Sequence, residues 1–198
     1  MKVLVTGATD FVGSHVIPSL LKTGHTVIAI CRSHKKARPF NYHDDVKRVD
    51  FDVFDLPEMP YALFGQPGCL IHLAWAGLPN YKDDFHLTEN FPADETFLSA
   101  MLRGGLKHLL VTGTCFEYAM QEGELTEDHP RLAETPYGIA KNRLRDRIRP
   151  FAEQCGATFL WVRLFYMYGP GQSERTLFAQ LQAAIDSGAT SFDMPGVQ

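Results

Sequence analysis

Long apolar runs are missing from this sequence. None reaches the ~18 residues that a membrane-crossing helix needs, and the opening stretch Met1-Lys2-Val3-Leu4-Val5-Thr6-Gly7 is broken by glycine before it could serve as the apolar region of a signal peptide. The expectation is a cytoplasmic protein with no membrane partner. Positive charge is not in excess: 19 basic residues face 23 acidic ones, a net charge of −4, so no bulk field exists to hold nucleic acid. Cysteine is sparse, and positions 31, 69, 115 and 155 form no CxxC pair and neighbour no histidine at ligand spacing. With the histidines scattered as well, no metal site is expected, and the cysteines read as buried, reduced thiols. Repeats and low-complexity segments are also absent. The 45% apolar and 21% charged composition argues against disorder, and 198 residues suffice for a packed core.

What is present is an alternation of two periodicities. Near-continuous apolar runs at Val3–Val5, Thr26–Ile30, Cys69–Ala74, His108–Thr112 and Thr158–Val162, with a short, half-polar one at Val46–Phe51, read as strands. Between and after them, helical spacing occurs over Val12–Lys22, His86–Arg103, Pro136–Glu153 and Glu174–Ser187. Strands that are apolar throughout and alternate with helices predict an α/β fold, a doubly wound parallel sheet of Rossmann type covered on both faces. Residues 32–45 read as a loop or short irregular helix, and 77–85 and 119–134 as loops of a length that is more often functional than idle.

Two local patterns carry chemistry. The first, Thr6-Gly7-Ala8-Thr9-Asp10-Phe11-Val12-Gly13, joins the first strand to the first helix. Gly7 permits the tight turn, Gly13 lets helix and strand approach, and the helix N-terminus offers N–H groups and a positive dipole end to a pyrophosphate. The second, Tyr137-Gly138-Ile139-Ala140-Lys141, places a phenol and an ammonium one turn apart on a helix face. A lysine so placed is expected to lower the phenol's pKa and make Tyr137 a proton donor or acceptor near neutral pH.

Loop and pair together resemble the extended short-chain dehydrogenase/reductases, whose loop reads TGxxGxxG. This chain departs from that pattern at Asp10, where the middle glycine would let phosphates approach the backbone. The resemblance implies a dinucleotide cofactor lying along Gly7, Thr9, Asp10, Phe11, Val12 and Gly13. NAD-specific sites put an acid at the end of the second strand. Here Cys31 stands there, followed by Arg32 and Ser33, a guanidinium and a hydroxyl suited to a 2′-phosphate; NADP is therefore expected, with NAD possible. Asp52 resembles the family's acid that bonds the adenine amine, with Val53 on the adenine face. His72-Leu73-Ala74-Trp75 resembles a segment whose backbone lines the cofactor, with Trp75 replacing a small residue.

By the same resemblance, Tyr137 and Lys141 are the catalytic pair, Lys141 also bonding the cofactor's ribose. Aligning the family's strand end on Tyr118 places Thr114 at the catalytic hydroxyl, with Thr112 a nearby second choice that also lines the cofactor. Ala119 replaces a usual glycine. Tyr166 stands where the family has a substrate-contacting asparagine, so Thr114, Tyr137 and Tyr166 are the expected substrate contacts. Residues 1–165 would form the cofactor domain and 166–198 the start of an incomplete substrate lobe. The function implied is an oxidoreductase or epimerase acting on a nucleotide-activated sugar. A non-catalytic NADP-binding sensor or scaffold and a reductase of small ketones or aldehydes stay open. Related enzymes dimerise through the helices at 86–103 and 136–153, so a homodimer is expected. A sugar dehydratase is not expected. Its acid pair after the threonine is replaced by Cys115 and Phe116, and Glu117, on an extended backbone, would face away.

Overall fold

In the computed structural model, which describes residues 1–33 and 46–192, the six apolar runs form one parallel sheet. They are β1 (Lys2–Thr6), β2 (Thr26–Cys31), β3 (Lys47–Asp50), β4 (Cys69–His72), β5 (His108–Thr114) and β6 (Thr158–Leu164), in the spatial order β3-β2-β1-β4-β5-β6. The helices are α1 (Phe11–Lys22), α2 (Pro60–Leu63), α3 (Phe91–Arg103), α4 (Pro136–Gln154) and α5 (Leu177–Asp186). The chain divides into two compact units, Met1–Leu164 and Phe165–Gln198.

Side-chain alternation along the strands builds the first unit. On β1 and β2, Leu4, Ile28 and Ile30 point to one face and Val3, Val5, Val27 and Ala29 to the other, and both sets are buried. The first set packs with Phe97, Leu98, Met101 and Leu102 of α3 and Leu144, Ile148 and Ala152 of α4. The second packs with Ile17 of α1. Truncating a side chain such as Leu102 to alanine should cost about 2–5 kcal/mol through lost transfer energy and the cavity left behind.

The elements depart from the sequence pattern where a local group overrides periodicity. The helix expected from His86 begins as a π-helical segment, His86–Asn90, before α3. Pro92 has no N–H to give the Thr88 carbonyl, and the chain ahead of it widens. Strand β5 runs on to Thr114, and Cys115–Glu117 is a 3-10 turn rather than extended chain. In the second unit, α5 starts at Leu177, where the Thr176 hydroxyl caps it by accepting from the Ala179 amide at 3.3 Å. Of the expected loop at 32–45, residues 34–45 lie outside the described residues. No described helix is long and apolar enough to cross a membrane.

The strand order reverses between β1 and β4, which pair from Val3↔Cys69 to Thr6↔His72. In an open α/β sheet, this reversal opens a crevice at the carboxyl ends of the two strands.

Candidate active site at the β1–β4 crevice

Thr6, at the tip of β1, holds the crevice's edges together. Its Oγ1 accepts the amides of Leu73 (3.1 Å) and Ala74 (3.3 Å) and lies 2.9 Å from His72 Nδ1. With both lone pairs taken, the hydroxyl proton goes to His72 Nδ1. His72 Nε2 then faces Asp94 Oδ1 at 3.2 Å, both side chains buried. Gly7 turns at φ +64°, and a Cβ there would come within 2.9 Å of the Ala74 nitrogen. At Gly13 a Cβ would collide with the Gly7 carbonyl, so glycine alone lets α1 start against this loop.

Beside the loop lies a cavity of about 610 Å³, within the size range of ligand pockets. It brings together Gly7, Thr9, Asp10, Arg32, Ser33, Asp52, Val53, Ala74 and Trp75. Phe11, Val12, Gly13, Leu73, Thr112 and Lys141 do not line it; Gly13 serves the loop's packing from behind. Cys31, Phe51, Asn90 and Asp94 line it without having been assigned. Of these, Asp94 had a signal, a carboxylate on the core face of α3 one turn before Phe97. A dinucleotide fits this lining: glycine turn and helix N-terminus at one end, Asp52 and Val53 at the other. Asp10 caps α1 in an extended conformation without a side-chain cap bond. Its carboxyl is partly solvent-facing, yet desolvation by the loop pushes its pKa up, the Arg32 guanidinium working against this.

Behind the cavity stand the phenol, hydroxyl and ammonium. Thr135 caps α4 by accepting from Gly138 N at 3.1 Å, and Pro136 fills the first turn. A Cβ on Gly138 would collide with the Phe116 carbonyl, so this glycine lets the helix start press on the turn after β5. That contact brings Tyr137 beside Thr114, whose side chain works to lower the phenol's pKa. Thr112 instead donates its hydroxyl to His72 O at 3.2 Å, tying β4 to β5. Tyr137 is surrounded by rings, with centroids at 5.8 Å (Trp75), 5.6 Å (Tyr81), 5.3 Å (His86) and 6.0 Å (Phe116).

This setting corrects one expectation. Burial drives the Tyr137 phenol up, well above the ordinary tyrosine range, with only the Thr114 side chain opposing. Lys141 does not lower it, because Nζ donates to Thr112 O at 2.8 Å and lies 3.9 Å from the Trp75 ring centroid. Complete burial pulls Lys141 itself down to about 8, and the carboxylates of Asp94 and Glu117 hold it from falling further.

Glu117 was missed as a site residue, since its partners Trp161 and Arg163 lie more than forty positions away. In the 3-10 turn it points inward, fully buried. Its carboxylate accepts from Thr114 N (2.9 Å), Trp161 Nε1 (2.9 Å) and Arg163 Nε (2.7 Å), while Arg163 Nη1 donates to Tyr118 Oη at 2.6 Å. Glu117 is thus engaged rather than merely turned away as the extended reading had it. Tyr166 belongs to the second unit, where it is exposed.

A parallel sheet that reverses its order at a glycine turn, with a buried Tyr–Lys helix pair behind the crevice, defines the class of the short-chain dehydrogenase/reductases. The chain belongs to the NAD dependent epimerase/dehydratase family, whose model matches residues 3–196. It is 32% identical over 188 residues to a dTDP-6-deoxy-L-talose 4-dehydrogenase (NAD(+)) from Aggregatibacter actinomycetemcomitans, covering 94% of this chain and 68% of that one. A UDP-glucose 4-epimerase from Corynebacterium glutamicum is 28% identical over 176 residues, 85% of this chain and 52% of that one. Among solved structures, a UDP-glucose 4-epimerase from Thermotoga maritima with UDP-glucose superposes with a TM-score of 0.81 at 22% identity, covering 96% of this chain and 64% of that one. A UDP-glucuronic acid 4-epimerase from Bacillus cereus in complex with NAD gives 0.78, also at 22%, with the same coverage. At these identities the structures show the shared fold, and this chain spans about two thirds of their length.

Proposed function

We propose that this chain is the cofactor-binding and catalytic part of an NAD-dependent oxidoreductase or epimerase that acts at a secondary hydroxyl of a nucleotide-activated sugar. The observation that carries the reading is the buried grouping of Tyr137, Thr114 and the Lys141 ammonium behind a dinucleotide-sized crevice. Gly7, Thr9 and the start of α1 would hold the pyrophosphate, Asp52 and Val53 the adenine end, and Lys141 the ribose. When bound, the nicotinamide supplies a hydride acceptor or donor. The protein's own part is the proton. Thr114 orients the sugar oxygen, and Tyr137 takes or returns its proton. A phenol with a raised pKa holds its proton firmly at neutral pH and is suited to the donor's role, in the direction of carbonyl reduction.

For the dinucleotide, the Arg32 guanidinium alone favours the 2′-phosphate of NADP. It stands, however, in the field of the Asp10 carboxyl; the similar talose 4-dehydrogenase is an NAD(+) enzyme and the similar UDP-glucuronic acid 4-epimerase is in complex with NAD. NAD is therefore the proposed cofactor. Elimination of water is not part of the proposal, since Cys115, its thiol pushed up by burial, and Phe116 offer no acid–base pair. The relative named as a 4-dehydrogenase puts dTDP-6-deoxyhexoses first among candidate substrates, ahead of UDP-hexoses. The test is to incubate the protein with NAD(H) and a panel of such sugars and follow absorbance of the reduced nicotinamide. Turnover lost by a factor of about 10²–10⁴ in Tyr137→Phe, with cofactor affinity unchanged, is the expected result; full activity of the purified variant would overturn the assignment.

A further inference from the structure

One aromatic ring separates the cavity from the catalytic groups. Trp75 lines the cavity beside Ala74 and Asp94, whereas Lys141 does not, and its side chain is fully buried. The indole covers the ammonium, with Nζ 3.9 Å from the ring centroid. Of the ammonium's three donors, Thr112 O takes one and the indole face lies against the group. The ring is fastened from its far edge. Trp75 Nε1 donates to His86 Nδ1 at 3.0 Å, and the two rings stack with centroids 6.1 Å apart. Because Nδ1 accepts, the imidazole carries its proton on Nε2, which donates to Asn80 O at 2.9 Å. His86 is itself buried, so the Trp75–His86 wall is anchored in the loop at 77–85.

Taking the crevice as a dinucleotide site, we propose that Trp75 is a gate on Lys141: its indole holds the place on the ammonium that ribose hydroxyls take, and loading the site moves the indole away. The physical exchange is one contact for another. A desolvated cation–π contact is given up, and the ammonium's donors turn to hydroxyl oxygens. The ring cannot stay where it is while Lys141 reaches into the cavity, because it stands between the two. The small residue expected at position 75 would leave this path open; the tryptophan closes it.

The chain has two tryptophans, Trp75 and Trp161, which makes the proposal directly readable. The protein is labelled with 5-fluorotryptophan, and its two fluorine resonances are assigned with Trp75→Phe. It is then titrated with NAD, NADP and AMP in parallel with calorimetry. NAD should shift the Trp75 resonance with the same midpoint as the heat signal and leave Trp161 in place. AMP, which spans only the adenine end, should bind without moving either. Trp75→Leu should bind NAD about tenfold more tightly, since the competing contact is gone. Calorimetric binding of NAD with an unmoved Trp75 resonance overturns the gate, as does unchanged or weakened NAD affinity in a folded Trp75→Leu. If that variant does not fold, the resonance in the parent protein still decides. No heat with either dinucleotide overturns the reading of the crevice and the gate with it.

Discussion

Replacing Arg163 by methionine isolates the buried charge beneath the Thr114 hydroxyl. The Glu117 carboxylate is fully buried and accepts from three donors, of which Arg163 Nε at 2.7 Å is the only cation. Methionine keeps much of the side chain's apolar volume and removes the charge. Breaking a buried pair from one side costs about 3–5 kcal/mol, because the remaining ion is left without its counter-charge. One term offsets this. Arg163 Nη2 is buried without a hydrogen-bond partner among the described residues, and deleting an orphaned donor returns about 1 kcal/mol. The net expectation is a loss of about 2–4 kcal/mol. At about 2–4 °C per kcal/mol for a domain of this size, the melting temperature should fall by on the order of 10 °C. Glu117→Leu should be comparably damaging, and Glu117→Leu with Arg163→Met should cost clearly less than the sum of the two singles, since the pair then leaves no uncompensated charge, although Thr114 N and Trp161 Nε1 lose their acceptor. Denaturant titration of the parent, both single variants and the double variant closes the cycle. The exposed pair Arg147–Glu95, at 3.0 Å, is the control, where Glu95→Gln should cost less than about 1 kcal/mol. A cost at Arg163 no larger than at Glu95, or a double variant as unstable as the sum of its singles, would refute the reasoning.

Four further outcomes are expected. Ala119 sits at φ +59°, a conformation that costs an L-residue about 1–2 kcal/mol; Ala119→Gly should raise the melting temperature by a few degrees after glycine's larger unfolded-state entropy is subtracted, and a lower one would contradict the strain. Lys141 titrates at about 8 against 10.5 for an exposed lysine, so NAD affinity by calorimetry should hold below pH 8 and fall above it, starting at lower pH in Asp94→Asn; a flat profile to pH 9.5 would contradict this. The fold moves the other way, gaining stability between about pH 8 and 10.5, because there the unfolded chain binds the proton that the buried amine has lost. Asp10→Gly should tighten both dinucleotides and tighten NADP more, since it relieves repulsion at the pyrophosphate and releases Arg32 for a 2′-phosphate; equal gains by calorimetry would mean that Arg32 does not serve Asp10.

The parts of the molecule legible in the sequence are those whose logic is local. Apolar runs announce strands buried on both faces. Gly7 and Gly13 announce a turn that must approach a helix, and Tyr137 and Lys141 share a face because a helix repeats every 3.6 residues. The rest depends on pairings across the fold. Glu117 meets Arg163, Thr6 meets His72, and Trp75 meets Lys141 through strand adjacency that no local pattern encodes. The same distance explains why the Tyr137 expectation had the wrong sign. The helix spacing brings an ammonium near a phenol, but Thr112 and Trp75 claim the ammonium, while the segment carrying Tyr81 and His86 encloses the phenol in rings.

The reversal of strand order between β1 and β4 also sets a timetable. The first strand made is the third across the sheet, and its second neighbour, β4, lies 66 residues further along the chain. A nascent chain that has finished β1, α1 and β2 therefore carries an apolar strand with one edge unpaired until His72 has emerged. The Thr114–Tyr137 contact follows only after another sixty or so residues. Such long-range parallel pairing is slow to close, and an open apolar edge invites wrong partners meanwhile. The crevice at the strand tips is thus one of the last features to form, and slowed or interrupted synthesis should penalise the site before it penalises the N-terminal strands and helix.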